Sequence, residues 1–295
     1  MKLWLKIIIV LILVAVVAFL GISAYLGNSM TAVERVSITE TPALYGLAYE
    51  EVSFTSQVDE LTLYGWYLPA EGDEVIIMVH GAEQHRADPS VNMLGVAAGL
   101  VEHDYSVLMF DMRGHGESEG DRMSAGYYET RDLLGAVDYV AGLGFEDIGV
   151  LGFSMGGATA IMTAAECDDI DAVVSDSAYA DLNDMLEPQF AERTSFPTFF
   201  LRPMLVVVKF MYGVDFASIK PVEVVGDIYP RPILFIHGGI DDTVPVAHAH
   251  MLYEASNNPQ NQLWVLPDVD HVDAYSSDPE EYLSQITAFF DDALR

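Results

Sequence analysis

The sequence predicts an α/β fold in which a mostly parallel central sheet carries helices on both faces, with an apolar helix at the N-terminus. Six short runs of apolar residues recur along the chain, which is typical of strands that are buried on both faces. Stretches with helical periodicity separate these runs, and such alternation of strand and helix favours parallel pairing. The chain has 295 residues, of which 51% are hydrophobic. It can therefore bury a large core, and a disordered or low-complexity chain is excluded.

The N-terminal segment is long and apolar enough to cross a membrane. Every residue from Ile7 to Leu20 is apolar, and the run continues to Leu26 with one weak polar interruption. These roughly 20 residues suffice for a hydrocarbon core of about 30 Å. Lys2 and Lys6 precede the run, so the positive-inside rule predicts a cytoplasmic N-terminus and an extracytoplasmic remainder. We therefore expect residues 1–27 to form a cytoplasmic stub and a single-pass anchor in the cell membrane.

A cleaved signal peptide is the alternative for this segment, and it would leave a secreted protein. Ser23 or Ala24 would then end the cleavage site. The apolar run is longer than a typical signal-peptide core, and no clean A-x-A pattern follows it. Both features favour the retained anchor.

The rest of the chain divides into a spacer at 28–50, which shows no periodic pattern, and a domain at 51–295. Alternating runs predict a hairpin-like opening at 51–58 and 61–69. The six apolar runs predict buried strands at 74–80, 105–111, 148–153, 171–175, 232–237 and 262–267. The helix-like stretches lie at 90–103, 124–143, 155–166, 245–256 and 279–292. The interval 179–231 falls where the next strand is due, and it predicts a small helical cap inserted before the penultimate strand.

Composition limits the possible ligands. With 45 acidic residues against 13 basic ones and a formal net charge of -32, the chain would repel phosphates, so nucleic acid is excluded as a partner. The lone Cys167 excludes a disulfide framework and a Cys-rich zinc site. His248 and His250 lie two apart on a predicted helix and form a poor metal pair. We expect no metal and no cofactor. A saline habitat and plain solubility explain the acidity equally well.

A nucleophilic serine is predicted at Ser154. It lies in Gly152-Phe153-Ser154-Met155-Gly156, a G-x-S-x-G pattern between a buried strand and a helix-like stretch. A sharp turn from strand to helix leaves no room for a Cβ atom at either flanking glycine, and it lifts the serine above the sheet at a helix N-terminus. In this context the pattern is far more specific than it is alone.

A serine hydroxyl needs a base, and the base needs an orienting carboxylate. Among eight histidines, His271 lies just beyond the last predicted strand and before the final helix. The acid is expected after the penultimate strand, where Asp241 and Asp242 are adjacent, and we favour Asp241. Asp242 remains an alternative, and Asp176, after the strand at 171–175, is the outside candidate.

Stabilisation of a developing negative charge needs two backbone N–H donors. Met155, directly after the nucleophile, is expected to supply one of them. The loop after the strand at 74–80 is expected to supply the other from Ala82, because Gly81 lets the backbone approach closely. His80 is interpreted as a buried histidine that fixes this loop rather than as a catalytic one.

These residues together resemble the α/β-hydrolase superfamily, and within it bacterial serine hydrolases similar to serine aminopeptidases and monoacylglycerol lipases. The motifs that carry the resemblance cover about 74–292 in the expected order: His80-Gly81, Asp111 to Ser118, Gly152 to Gly157, His237-Gly238-x-x-Asp241-x-x-Val244-Pro245 and His271. The resemblance implies the α/β-hydrolase fold and a structural role for the turn after Phe110. It also implies a nucleophile, acid and base at Ser154, Asp241 and His271, in agreement with their positions. Epoxide hydrolases and haloalkane dehalogenases look similar but carry Asp at the elbow.

The expected function is that of a membrane-anchored serine hydrolase that cleaves a small-molecule or lipid-like carboxylic ester. A peptidase or amidase would use the same triad, and a non-catalytic binding protein is the alternative of another class. In the cap, the apolar stretch Phe196–Phe216 is expected either to line an acyl pocket or to pack the cap on the body. In the first case, larger side chains at Val207 or Val208 would shorten the preferred acyl chain. The sequence predicts neither the exact substrate nor the oligomeric state.

Overall fold

Eight strands form one sheet in a computed structural model that describes residues 2–295. They are β1 (Glu50–Thr55), β2 (Thr62–Leu68), β3 (Glu74–Val79), β4 (Ser106–Phe110), β5 (Asp147–Phe153), β6 (Ala172–Asp176), β7 (Ile233–Gly238) and β8 (Gln262–Leu266). The strands lie in the order β1-β2-β4-β3-β5-β6-β7-β8. β2 pairs antiparallel with β1 and with β4, and every other pair is parallel. The predicted hairpin-like opening and parallel sheet are confirmed.

Ten helices accompany the sheet within the described residues 2–295. They are α1 (Leu3–Thr31), α2 (Met93–Glu102), α3 (Glu129–Leu143), α4 (Met155–Glu166), α5 (Leu182–Thr194), α6 (Leu201–Tyr212), α7 (Pro221–Val224), α8 (Ala247–Ser256), α9 (Ala274–Ser277) and α10 (Pro279–Leu294). Strand and helix alternate from β3 onward, as expected from the spacing of the apolar runs.

The core consists of two apolar layers, one on each face of the sheet. Side chains alternate between the faces along each strand, so Ile77 of β3 packs with α3 and α4 while Ile76 and Met78 pack with α2 and α10. All three side chains are fully buried. Because both faces are covered, the central strands carry apolar residues at consecutive positions, which is the pattern seen in the sequence.

The N-terminal helix α1 is long and apolar enough to span a membrane, and most of its side chains are exposed. It extends to Thr31, past the predicted anchor boundary at residue 27, and Ala32 then forms a β-bridge with Arg122. The predicted spacer at 28–50 therefore begins with a helical turn that is attached to the domain. It also contains a short 3₁₀ turn at Pro42–Tyr45.

The interval between β6 and β7 forms a helical cap that contains α5, α6 and α7. Helix α6, which carries most of the apolar stretch 196–216, packs along α1 rather than only on the body of the domain. A Cβ atom at Gly27 would lie 2.4 Å from Val208 Cγ2, so only a glycine allows this close approach. The ring centroid of Phe19 lies 4.8 Å from that of Phe200, at the start of α6.

Candidate active site

Ser154 lies at the turn between β5 and α4, with φ 52° and ψ -113°. Non-glycine residues rarely adopt this strained conformation, and such strain is common at functional sites. A Cβ atom at Gly152 would lie 2.4 Å from the Gly156 carbonyl oxygen, and one at Gly156 would lie 2.2 Å from that of Val79. The sequence therefore needs glycine at both flanking positions, as the turn predicts. The Ser154 N–H donates to the Asp176 carbonyl at 2.8 Å, which holds the turn against β6.

The structure brings together the three side chains that the sequence predicted as nucleophile, base and acid. His271 Nε2 lies 3.0 Å from Ser154 Oγ, and His271 Nδ1 lies 2.7 Å from Asp241 Oδ2. The three residues follow β5, β7 and β8, so the carboxyl ends of three parallel strands supply them at one edge of the sheet. This geometry holds the imidazole with Nδ1 toward the carboxylate and Nε2 toward the hydroxyl.

Asp241 is buried, and its carboxylate is fully satisfied by hydrogen bonds. Its Oδ1 accepts the backbone N–H of Thr243 at 2.9 Å and that of Val244 at 2.7 Å. Burial opposes ionisation, but hydrogen bonds from His237 and His271 outweigh it and lower the pKa of Asp241 to about 2. The acid is therefore negatively charged at neutral pH.

The two alternative acids have other surroundings. The Asp242 side chain is exposed, and only its backbone carbonyl is bonded, by Gln189 of the cap. Asp176 is buried and accepts hydroxyl hydrogen bonds from Tyr282 at 3.0 Å and Ser177 at 2.9 Å. Burial raises the pKa of Asp176 to about 6. Neither carboxylate contacts His271, so the geometry singles out Asp241.

His237 has a role that sequence reasoning overlooked. It is the penultimate residue of β7, and its Nε2 lies 2.7 Å from the Val244 carbonyl oxygen and 3.3 Å from Asp241 Oδ2. A histidine four residues before the acid, at the end of a buried strand, was the only signal in the sequence. The contact closes the loop that carries Asp241.

The candidate oxyanion donors flank Ser154. Met155 is the first residue of α4, and within residues 2–295 its N–H and that of Ala82 donate to no other group. Gly81 lies beside the nucleophile, since a Cβ atom on it would be 3.7 Å from Ser154 Cβ. That spacing is an ordinary contact, so Gly81 is not needed for close approach, contrary to the sequence argument. The two donor roles remain predictions.

The loop that carries Ala82 is held from below by buried polar groups. His80 is fully buried, its Nδ1 lies 2.7 Å from the Gly81 carbonyl, and its Nε2 accepts the Met112 N–H at 3.0 Å. Burial lowers the pKa of His80 well below its usual value, so the ring is neutral and structural, as interpreted from the sequence. Arg86, which the sequence analysis did not single out, donates to Asp111 Oδ2 at 2.6 Å and stacks on Trp66. Asp111 thus fixes this loop, in agreement with its expected structural role.

A cavity of about 720 Å³ opens above Ser154 and His271. The cap lines one side mainly through apolar residues of α5 and the turn after α6: Leu182, Met185, Leu186, Phe190 and Phe216. Val207 and Val208 do not line it, so the expectation that they set acyl length is wrong. Val208 instead packs on Gly27 of α1. Within residues 2–295, no group of three or more His, Cys, Asp or Glu side chains is arranged to hold a metal ion.

Comparison with known proteins agrees with this architecture. A family profile described as the alpha/beta hydrolase fold matches residues 74–217. The solved structure of an esterase from Pyrococcus furiosus, Pf2001, superposes with a TM-score of 0.76 at 27% identity and covers 90% of this chain and 99% of its own. The chain has the α/β-hydrolase fold.

Two sequence relatives extend the comparison. The uncharacterized protein YqkD of Bacillus subtilis is 29% identical over 232 residues, which cover 76% of this chain and 73% of YqkD. Mouse monoglyceride lipase is 35% identical over 141 residues, which cover 45% of this chain and 44% of the lipase. The resemblance to α/β-hydrolases is therefore shown, and these comparisons together with the site support a hydrolase.

Proposed function

We propose that the protein is a membrane-anchored serine hydrolase that cleaves carboxylic esters through an acyl-enzyme on Ser154. The observation that carries the proposal is the continuous chain of contacts from Ser154 Oγ through His271 to Asp241, at 3.0 and 2.7 Å. A hydroxyl, an imidazole and an ionised carboxylate in this order form the arrangement that activates a serine nucleophile. A binding protein without catalysis would not need the strained backbone at Ser154.

The proposed reaction has two halves. Ser154 Oγ attacks the ester carbonyl while His271 Nε2 takes the hydroxyl proton, and Asp241 stabilises the resulting imidazolium. The N–H groups of Ala82 and Met155 hold the oxyanion. Collapse of the tetrahedral intermediate breaks the ester C–O bond, and His271 gives its proton to the departing alcohol. Water, deprotonated by His271, then attacks the acyl-enzyme. The second tetrahedral intermediate breaks the bond between the acyl carbon and Ser154 Oγ, which takes the proton back from His271, and the carboxylic acid is released.

An ester substrate is favoured over an amide by the relatives and by the pocket. The Pyrococcus protein of similar structure is an esterase, and the mouse relative is a monoglyceride lipase. The cap wall of the cavity is mainly apolar, which suits an acyl chain. Cleavage of a peptide or amide would use the same three residues. Preference for such substrates in the test below would change the proposed reaction class.

Retention of α1 as an anchor is part of the proposal. Ser23, Leu26, Gly27 and Thr31 are buried against the domain, and Arg122 donates to Thr31 Oγ1 at 2.9 Å. Signal-peptide cleavage near Ser23 or Ala24 would remove part of this packed turn. Lys2 and Lys6 favour a cytoplasmic N-terminus, so the catalytic domain lies outside the cytoplasm.

Labelling with a fluorophosphonate probe tests the nucleophile directly. We expect stoichiometric modification of the full-length protein and none of Ser154→Ala. A matched panel of esters and amides with the same acyl groups then tests the reaction class. Faster turnover of the amides would show a peptidase or amidase, and no labelling and no turnover with either series would refute the hydrolase.

A further inference from the structure

We propose that the outer end of α1 is a wall of the substrate pocket, so that the enzyme takes its ester from the outer leaflet of the membrane. This inference rests on the proposed hydrolase function. Four residues of α1 line the same cavity as Ser154 and His271: Tyr25, Leu26, Ser29 and Met30. Their spacing puts them on one face of the helix. The anchor is thus part of the active-site cavity as well as a tether.

The position of this wall along α1 gives its depth in the membrane. The apolar run starts at Ile7, directly after Lys6, and twenty helical residues at about 1.5 Å each carry it across about 30 Å to Leu26. Leu26 therefore lies at the outer limit of the hydrocarbon core. Tyr25 and Leu26 face the cavity at this limit, and Ser29 and Met30 lie about one turn further out, among the head groups.

The cap lies at the same level. Helices α1 and α6 run side by side in the same direction, since Phe19 contacts Phe200, Gly27 contacts Val208, and Asn28 Oδ1 accepts from Tyr212 Oη at 3.0 Å. Phe19 precedes Leu26 by seven residues, which places the start of α6 about 10 Å below the hydrocarbon limit. Phe199, at this tip, is 64% exposed. An exposed phenylalanine at that depth is covered by lipid.

The charges of the cap agree with a membrane surface. Among the lysine and arginine side chains after residue 27, only those of Arg193 and Arg202 make no hydrogen bond or ion pair with the described residues 2–295. Both belong to the cap, and Arg193 lines the cavity. An otherwise acidic domain is repelled by anionic lipids, whereas two unpaired arginines at this edge attract their phosphates.

These observations define a class of substrate. The ester carbonyls of glycerolipids lie at the boundary between hydrocarbon and head groups, which is the level of the cavity wall on α1. A lipid that enters the cavity beside Tyr25, Leu26, Ser29 and Met30 keeps its acyl chain among the apolar side chains of α5 and presents its ester to Ser154. The substrate is therefore a membrane lipid of the outer leaflet that still carries an ester-linked acyl chain.

The test uses the full-length protein in phosphatidylcholine vesicles and two substrates, a monoacylglycerol mixed into the bilayer and water-soluble p-nitrophenyl acetate. Ser29 is exposed, so Ser29→Trp adds bulk to the cavity wall without disturbing the core. We expect it to lower turnover of the lipid at least about tenfold more than turnover of the acetate. Leu20→Trp, on the lipid-facing part of α1 outside the cavity, is the matched control and keeps both activities.

A second variant adds the bulk only after folding. In a Cys167→Ser background, Ser29→Cys is alkylated with a bulky maleimide, and Val36→Cys, exposed and outside the cavity, is the control. Loss of lipid turnover on alkylation at 29 alone supports the wall. Equal effects at 29 and 36, or a wild type that cleaves the acetate but no bilayer ester, would overturn the inference and leave the hydrolase intact. A wild type that cleaves neither substrate would refute the proposed function itself.

Discussion

The body of the domain and the cap with α1 form opposite walls of one cavity, and they are held by different forces. On the body side, Asp241 uses both carboxylate oxygens, His271 bonds at both ring nitrogens, and Ser154 lies in a strained turn. On the opposite side, apolar contacts such as Phe19 on Phe200 dominate. Hydrogen bonds fix positions to a few tenths of an ångström, whereas apolar packing tolerates exchange of similar side chains. For the proposed hydrolase we therefore expect the reaction to depend on the body wall and the choice of substrate to depend on the other wall.

The largest effect should come from the base on the body wall. His271→Ala is expected to lower kcat for an activated ester by about 10⁴-fold or more, because no other group can accept the Ser154 proton. His248→Ala is the matched control. His248 is also buried, but its Nδ1 only accepts the Ala180 N–H at 3.2 Å. If His248→Ala lost kcat to this extent while His271→Ala stayed active, His271 would not be the base.

The body wall was predictable from sequence because its constraints are local. The turn at Ser154 needs glycine on both sides, and the acid and base follow directly after buried strands, so spacing alone leads to them. The sequence favoured Asp241 over Asp242 as the acid, and the structure places Asp241 against His271 while the Asp242 side chain is exposed. Arg86 was missed because its partner Asp111 lies on another segment of the chain, and His237 was missed because its contacts depend on how the loop after β7 folds back.

The other wall was not predictable for a physical reason. Helix α1 is apolar on all sides, so no periodic pattern marks the face that packs on the cap. Gly27, which allows the close contact with Val208, is the single local sign of that interface. The cap was correctly expected before the penultimate strand. Residues of α5 line the cavity, whereas Val207 and Val208 do not, because α6 packs against α1.

The second largest effect concerns the two adjacent acids. Asp241→Asn is expected to lower kcat about a thousandfold, because an amide stabilises the imidazolium poorly and favours the wrong tautomer of His271. Asp242→Asn should leave kcat unchanged, since that side chain is exposed. Ester kinetics on the two purified variants decide between them. Loss confined to Asp242→Asn would show that the neighbouring residue is the acid.

A smaller effect is expected on stability from Asp176, which lies beneath the body wall. Its pKa is about 6 in the folded protein, because of burial, and about 3.9 in an unfolded chain. The folded state therefore holds an extra proton between these values, and the contribution of Asp176 to stability falls as pH rises from about 4 to about 6, by at most about 3 kcal/mol.

Asp176→Asn should remove that part of the pH dependence while the ester activity persists. Urea unfolding at several pH values, compared between the wild type and the variant, measures the difference in slope. An identical slope in both proteins would show that Asp176 does not carry the raised pKa. Loss of activity as large as in Asp241→Asn would instead make Asp176 the acid of the triad.

The smallest effect belongs to the cap wall, where substitution should change preference rather than chemistry. Leu186 of α5 lines the cavity and is buried, so Leu186→Trp shortens the space for an acyl chain. We expect kcat/KM for octanoyl esters to fall about tenfold relative to acetyl esters, because a hydrophobic pocket discriminates by roughly this factor over one or two methylenes. Val206→Trp is the control, since Val206 is 69% exposed on α6 and does not line the cavity. An equal loss for all chain lengths in Leu186→Trp would mean that the acyl chain lies elsewhere, and the two walls would then not divide reaction from selection.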